Sequence, residues 1–223
     1  TKIDGRFTSS GDVVNGGAIT VSTTGVYSQV AGISSPSSTF DPGTFTYAGQ
    51  VRIGEGTAFT NAMLEMHPSP SGLYVQQASG TTQIDGIFAN SARVENAGTV
   101  TVGTTGTYSQ TSNSAGVTPT TVNTGTLSNA GQVRIGEGTS FSNFPRLEHG
   151  APPAVGGQYI QQAGGTTQID GSFFNGGGRV TNEGTTTVGE TGTYNQTRSS
   201  APVPATPATV NTGTFTNAGN TLV

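Results

Sequence analysis

One stretch of the chain is written twice. Tyr159-Ile160-Gln161-Gln162-Ala163-Gly164-Gly165-Thr166-Thr167-Gln168-Ile169-Asp170-Gly171 returns, almost unchanged, as Tyr74-Val75-Gln76-Gln77-Ala78-Ser79-Gly80-Thr81-Thr82-Gln83-Ile84-Asp85-Gly86. Its tail appears a third time as Lys2-Ile3-Asp4-Gly5. The three Asp residues stand 81 and 85 residues apart, so the chain is an array on a unit of about 80–88 residues. The units run 1–80, 81–165 and 166–223, the last incomplete. The first residue lies inside a repeat and Val223 cuts another, which reads as an excerpt of a longer mature protein.

Landmarks keep their order in each unit. Ile-Asp-Gly is followed by an aromatic (Phe7, Phe88, Phe173), then by Val-x-Asn-x-Gly or a degraded form of it. A Thr-rich run ends in Thr-Gly-x-Tyr-x-Gln at Tyr27, Tyr108 and Tyr194. Apolar residues alternate with polar ones, as in Thr99-Val100-Thr101-Val102 and Gln132-Val133-Arg134-Ile135. That is the period of a half-buried strand, and no stretch has helical spacing. Short strands bounded by Gly or Asn about every 20 residues predict an all-β parallel solenoid, three or four coils per unit. One coil cannot bury its inward side chains alone, but stacked coils share a continuous core. Gly and Asn are expected at the corners, where positive φ is needed, with Asn96, Asn123, Asn182 and Asn211 in stacked ladders.

Composition fits a thin core. Hydrophobic residues are 31% and charged residues 9%, against roughly 25% charged in an average domain. The net charge of −4 and eight scattered Lys and Arg argue against nucleic acid, which demands clustered cations. Absence of Cys excludes a disulfide framework and a thiolate metal site. No apolar run approaches the roughly 20 residues of a membrane span.

Two insertion sites interrupt the pattern. One holds Val30 to Pro42, Thr111 to Pro119 and Thr197 to Pro207; the other holds Asn61 to Leu73 and Asn143 to Gln158. Inserts at one site of a repeat are expected to line one face of a solenoid, often the binding face.

Tyr108-Ser109-Gln110, and after its insert Thr120-Thr121-Val122-Asn123-Thr124-Gly125-Thr126-Leu127, resembles the passenger repeats of bacterial autotransporters. Tyr194 with Ala208-Thr209-Val210-Asn211-Thr212-Gly213-Thr214-Phe215 follows the same pattern. The Asn-x-Gly-Thr texture of the whole chain is similar to filamentous-haemagglutinin-like adhesins. The resemblance implies a right-handed parallel β-helix at the bacterial cell surface, acting as adhesin, stalk or biofilm component. The sequence departs from the pattern where an insert replaces the Gly-Gly between Tyr and Thr-Thr-Val.

Candidate chemistry is sparse. Asp4, Asp85 and Asp170 recur once per unit before Gly, which marks turns rather than a carboxylate pair. Glu55 and Glu137, beside Arg52 and Arg134, suggest ion pairs between rungs. The two His residues lie in matching inserts, as Glu65 with His67 and Glu148 with His149. These are the metal-ligand candidates, although a site takes three or four ligands. Tyr27, Tyr108 and Tyr194 fit internal stacking better than a sugar-binding groove. The expectation is a non-catalytic extracellular rod without cofactor, meeting glycans or proteins of cell surface or matrix through its insert loops. End-to-end self-association follows from exposed strand edges. The alternative is a carbohydrate-binding or polysaccharide-degrading module on the same scaffold.

Overall fold

The computed structural model describes residues 1–15, 18–29, 38–41, 43–62, 72–112, 118–144, 157–197 and 207–222. They wind into triangular coils with one short strand on each side. The first coil is β1 (Lys2–Ile3), β2 (Arg6–Ser9) and β3 (Val13–Val14); the second is β4 (Ala18–Val21), β5 (Val26–Gln29) and β6 (Ser38–Asp41). Next come β7 (Thr44–Tyr47), β8 (Gln50–Ile53) and β9 (Ala58–Asn61), then β10 (Leu73–Gln76), β11 (Thr81–Ile84) and β12 (Ile87–Asn90). The fifth and sixth coils are β13 (Arg93–Asn96), β14 (Thr99–Val102), β15 (Thr107–Gln110) and β16 (Thr120–Asn123), β17 (Thr126–Asn129), β18 (Gln132–Ile135). The seventh and eighth are β19 (Ser140–Asn143), β20 (Gln158–Gln161), β21 (Thr166–Ile169) and β22 (Ser172–Gly176), β23 (Arg179–Asn182), β24 (Thr185–Val188). The ninth is β25 (Thr193–Thr197), β26 (Ala208–Asn211) and β27 (Thr214–Asn217), and β28 (Asn220–Leu222) opens a tenth.

Each strand pairs, in parallel, with the strand three before it and the strand three after it. Three sheets result: the first from β1 to β28, the second from β2 to β26, the third from β3 to β27. Register is strict. Thr81, Thr82, Gln83 and Ile84 face Thr99, Val100, Thr101 and Val102. A slip of one residue would turn every inward side chain out, which is why register holds.

In the four-residue strands the second and fourth residues point inward. In β14, Val100 and Val102 are buried while Thr99 and Thr101 face out. Rings stack from coil to coil along the core. Phe59, Phe88 and Tyr108 lie with centroids 5.3 Å apart and planes within 8°. Phe141, Phe173 and Tyr194 repeat the arrangement at 5.1 and 5.3 Å.

The sequence repeat and the coil do not share a period. Ile3, Ile84 and Ile169 fall on β1, β11 and β21. A unit therefore carries ten strands, and the coil carries three. Each unit ends one third of a turn further round, so equivalent residues occupy the first, second and third sheets in succession. This overturns the expectation that equivalent inserts line one face. The inserts after β5, β15 and β25 leave three different corners, because ten is not a multiple of three.

Corners are of two main kinds. A two-residue corner such as Ala97-Gly98 turns tightly, and a four-residue one such as 103–106 turns widely. At tight corners Gly is demanded by crowding. A Cβ on Gly125 would sit 2.1 Å from the Gly98 carbonyl oxygen, and one on Gly98 would sit 2.2 Å from that of Gly80. Among the described residues positive φ occurs at Gly only, as at Gly56 (71°) and Gly138 (70°). The expectation of Asn at positive φ is thus corrected. Asn closes strands instead, where its Oδ1 can accept the N–H two residues on, as Asn96 does from Gly98 at 3.0 Å. An L-residue pays in Cβ sterics for positive φ, and this use of Asn avoids it.

Candidate functional site

The interior is occupied by a polar arrangement that recurs every fifth strand. Tyr-x-Gln on β5, β10, β15, β20 and β25 points Tyr and Gln inward, and the next strand offers Thr at its second position. At β15 the Tyr108 hydroxyl lies 2.5 Å from Thr121 Oγ1, which donates to Gln110 Oε1 at 2.6 Å. Gln110 Nε2 then donates to the carbonyls of Pro119 and Ser140, both at 2.8 Å. The Gln thereby ties its own corner to the next coil. Tyr159, Thr167 and Gln161 repeat the set, and Tyr47 joins Tyr74, Thr82 and Gln76. Burial pushes the hydroxyls of Tyr74, Tyr108 and Tyr159 well above the usual phenol range. These side chains are structural. Tyr27, Tyr108 and Tyr194 are buried and offer no stacking platform to a sugar.

A groove of about 710 Å³ opens where the first sheet meets the second, across the fourth to sixth coils. The wide turn Gln77-Ala78-Ser79 and the tight corners at Ala97 and Thr124 line it. Val75, Glu95 and Val122 stand side by side on the outward face, in register on β10, β13 and β16. Arg93 Nε donates to Glu95 Oε1 at 2.7 Å across the floor. Apolar flanks around one internal ion pair suit a neutral, partly apolar surface. No sequence pattern marks this groove, which depends on turn lengths in three successive coils. Ten strands on, the second sheet presents Ile160, Thr181 and Val210 in register at the equivalent positions.

The other predicted residues are dispersed. Asp4, Asp85 and Asp170 follow β1, β11 and β21 on three different sheets, so they form no carboxylate pair. Gln83 Nε2 donates to Asp85 Oδ1 at 2.7 Å, and Gln168 Nε2 to Asp170 Oδ1 at 2.6 Å. Arg52 and Arg134 reach those same carboxylates, at 3.7 and 3.9 Å, instead of Glu55 and Glu137. The reason is register: Arg52 sits opposite Gln83, beside Asp85, while Glu55 projects from a wide turn. Asp4 pairs locally with Lys2 at 3.0 Å. Glu65, His67, Glu148 and His149 lie outside the described residues. Among the described residues no group of three or more His, Cys, Asp or Glu could hold a metal ion.

The fold defines a repetitive, all-parallel β-solenoid of three sheets. No family model matches the chain, and no curated protein matches it. Among solved structures it is similar to the crystal structure of a TibC-catalyzed hyper-glycosylated TibA55-350 fragment. The two share 15% identity over 99% of this chain and 98% of that one, with a TM-score of 0.34. No helix among the described residues is long and apolar enough to cross a membrane.

Proposed function

We propose that the chain is a stretch of extracellular shaft, non-catalytic, in a bacterial surface adhesin or filament. The observation that supports this reading is the unbroken in-register stacking of every coil through one continuous core. Such stacking gives a stiff rod rising about 4.8 Å per coil. Winding is right-handed in this reading, as crossover connections between parallel strands nearly always are. The groove at Val75, Glu95 and Val122, with the insert loops, supplies the contact surface for glycans or proteins of a cell surface or matrix. Self-association through strand edges would extend the rod.

Negative-stain imaging with light scattering tests the shaft. Uniform rods or filaments are expected; compact particles or a random-coil circular dichroism spectrum would sink it. Retention on immobilised glycans and matrix proteins, with Val122→Arg against the parent chain, tests the contact surface. Carbohydrate binding in the groove is the second reading, favoured by its volume alone. Hydrolysis gains nothing from it, because the one carboxylate among the described lining residues, Glu95, is tied to Arg93 and a glycosidase needs two.

A further inference from the structure

One ladder in the interior has an acid where its equivalents have an amide. β6, β16 and β26 are equivalent strands, and their last residues are Asp41, Asn123 and Asn211. Asn123 shows what the position does. Its Oδ1 accepts from Asn96 Nδ2 at 2.7 Å, while its Nδ2 donates to Asn143 Oδ1 at 2.9 Å and to the Gln158 carbonyl at 3.0 Å. Asp41 reproduces the accepting half. Its Oδ1 takes Asn15 Nδ2 at 2.9 Å and the Gly43 N–H at 3.0 Å.

The donating half is missing. Asp41 Oδ2 stands where Asn123 has its Nδ2, and it is buried without a partner. On the next coil Asn61 is the register neighbour of Asp41 and the equivalent of Asn143. Asn61 Oδ1 is likewise buried without a partner. Register thus sets two unpartnered acceptors on adjacent rungs, in a residue pair that is 0% exposed on both sides. A buried acceptor left unmet costs about 1–3 kcal/mol, more for a charged one.

Turning Asn61 over does not resolve the conflict. Its Nδ2 already donates to Asn90 Oδ1 and to the Arg93 carbonyl, both at 2.9 Å. A flip would strip the Arg93 carbonyl of its donor. Asn90 cannot follow, because its Oδ1 accepts the Ala92 N–H at 3.1 Å. The direction of the ladder is fixed by the backbone groups at its edge.

We propose that Asp41 is held as the neutral acid in the folded solenoid and donates the missing hydrogen bond to Asn61, which makes this rung a pH-sensitive joint in the shaft. Burial pushes the carboxyl up, outweighing the Asn15 amide and Gly43 N–H that favour the carboxylate. Surrounding charge is sparse. β9 carries no titratable side chain and neither does β3, although Asp12 stands immediately before β3. Tyr27 on β5 is buried and feels the Asp41 charge, and Tyr47 lies on β7. Residues 30–37 and 42 contain no ionisable side chain; Glu65 and His67, in the insert after β9, lie outside the described residues.

A raised folded-state pKa means stability that is complete in acid and is lost as pH rises through the folded value. Each unit of difference between folded and unfolded values is a tenfold change in the unfolding constant. The test is thermal melting of the parent chain and Asp41→Asn from mildly acidic to mildly alkaline pH. Asn restores the ladder seen at Asn123 and carries no charge. Other groups, Glu65 and His67 included, are present in both proteins and cancel in the difference. Asp41→Asn should gain on the parent progressively as pH rises. A difference that stays constant, or that runs against Asp41→Asn with rising pH, overturns the proposal. Carbon NMR of the parent, with the Asp41 carboxyl signal assigned by its loss in Asp41→Asn, gives the second readout. A midpoint above the ordinary carboxylate range is expected; one at or below that range overturns it as well.

Discussion

Asn96 Nδ2 donates to Asn123 Oδ1 across 2.7 Å, although the two residues are 27 apart in sequence. The line continues through Asn143 at 2.9 Å and Asn175 at 3.1 Å, tying four coils of the first sheet. Asn96, Asn123 and Asn143 each also donate to a backbone carbonyl of the following coil, Thr126 at 3.2 Å, Gln158 at 3.0 Å and Arg179 at 3.2 Å. The ladder is therefore a clamp between coils at the corner where the chain must turn.

Asn123→Ala should lower stability by about 2–4 kcal/mol, because it takes the donor from buried Asn143 Oδ1 and from the Gln158 carbonyl and leaves Asn96 Nδ2 with the Thr126 carbonyl alone. Urea unfolding followed by circular dichroism measures this. A loss under about half of that would show that water replaces the amide.

The hydroxyl of Thr121 bridges Tyr108 and Gln110. Thr121→Val keeps the shape, removes the bridge and should cost about 1–3 kcal/mol. Thr121→Ser should recover much of it. In a double-mutant cycle with Tyr108→Phe, the two effects should be non-additive.

Gly125→Ala places a methyl 2.1 Å from the Gly98 carbonyl oxygen, a backbone atom that cannot step aside. A loss of about 3 kcal/mol or more is expected. Gly11→Ala is the control, since nothing lies within 4 Å of its Cβ position, and its melting temperature should barely move.

Alkaline pH should unfold the solenoid. The buried tyrosines hold their protons more tightly when folded, since burial disfavours the phenolate. A raised folded value means that stability is complete below the unfolded value of about 10 and falls as pH climbs beyond it. Phenolate absorbance should therefore appear together with loss of the β signal. Ionisation at ordinary pH with the β signal intact would contradict the burial.

Arg52→Ala and Arg134→Ala remove exposed ion pairs to Asp85 and Asp170. Each should change stability by less than about 1 kcal/mol, and the change should shrink in high salt. Equal effects at all salt concentrations would mean that packing of the Arg stem, not charge, is at work.

Much of the fold was legible in the residues. Alternation in Thr99-Val100-Thr101-Val102 declares a strand with one buried face, because a strand has period two. Recurrence of the Ile84 and Ile169 segments declares an array, because like segments pack alike. Tyr-x-Gln at fixed phase puts Tyr108 in the core, while its partner Thr121, on the far side of an insert, carries no local signal. Asn123 does stand in the expected ladder, but it closes its strand at negative φ rather than turning a corner at positive φ. Sequence proximity points Arg52 at Glu55, while register delivers Asp85.

Strand and turn are written in the residues themselves, because both rest on neighbours within a few positions, and the repeat is written in the recurrence of whole segments. The number of strands that close a coil emerges from packing in three dimensions. That number depends on core side chains from three directions filling one triangle, and no local pattern records it. Once three is set against ten, every unit turns by a third, and the groove, the inserts and the Asp41 rung take places around the shaft that no single unit reveals.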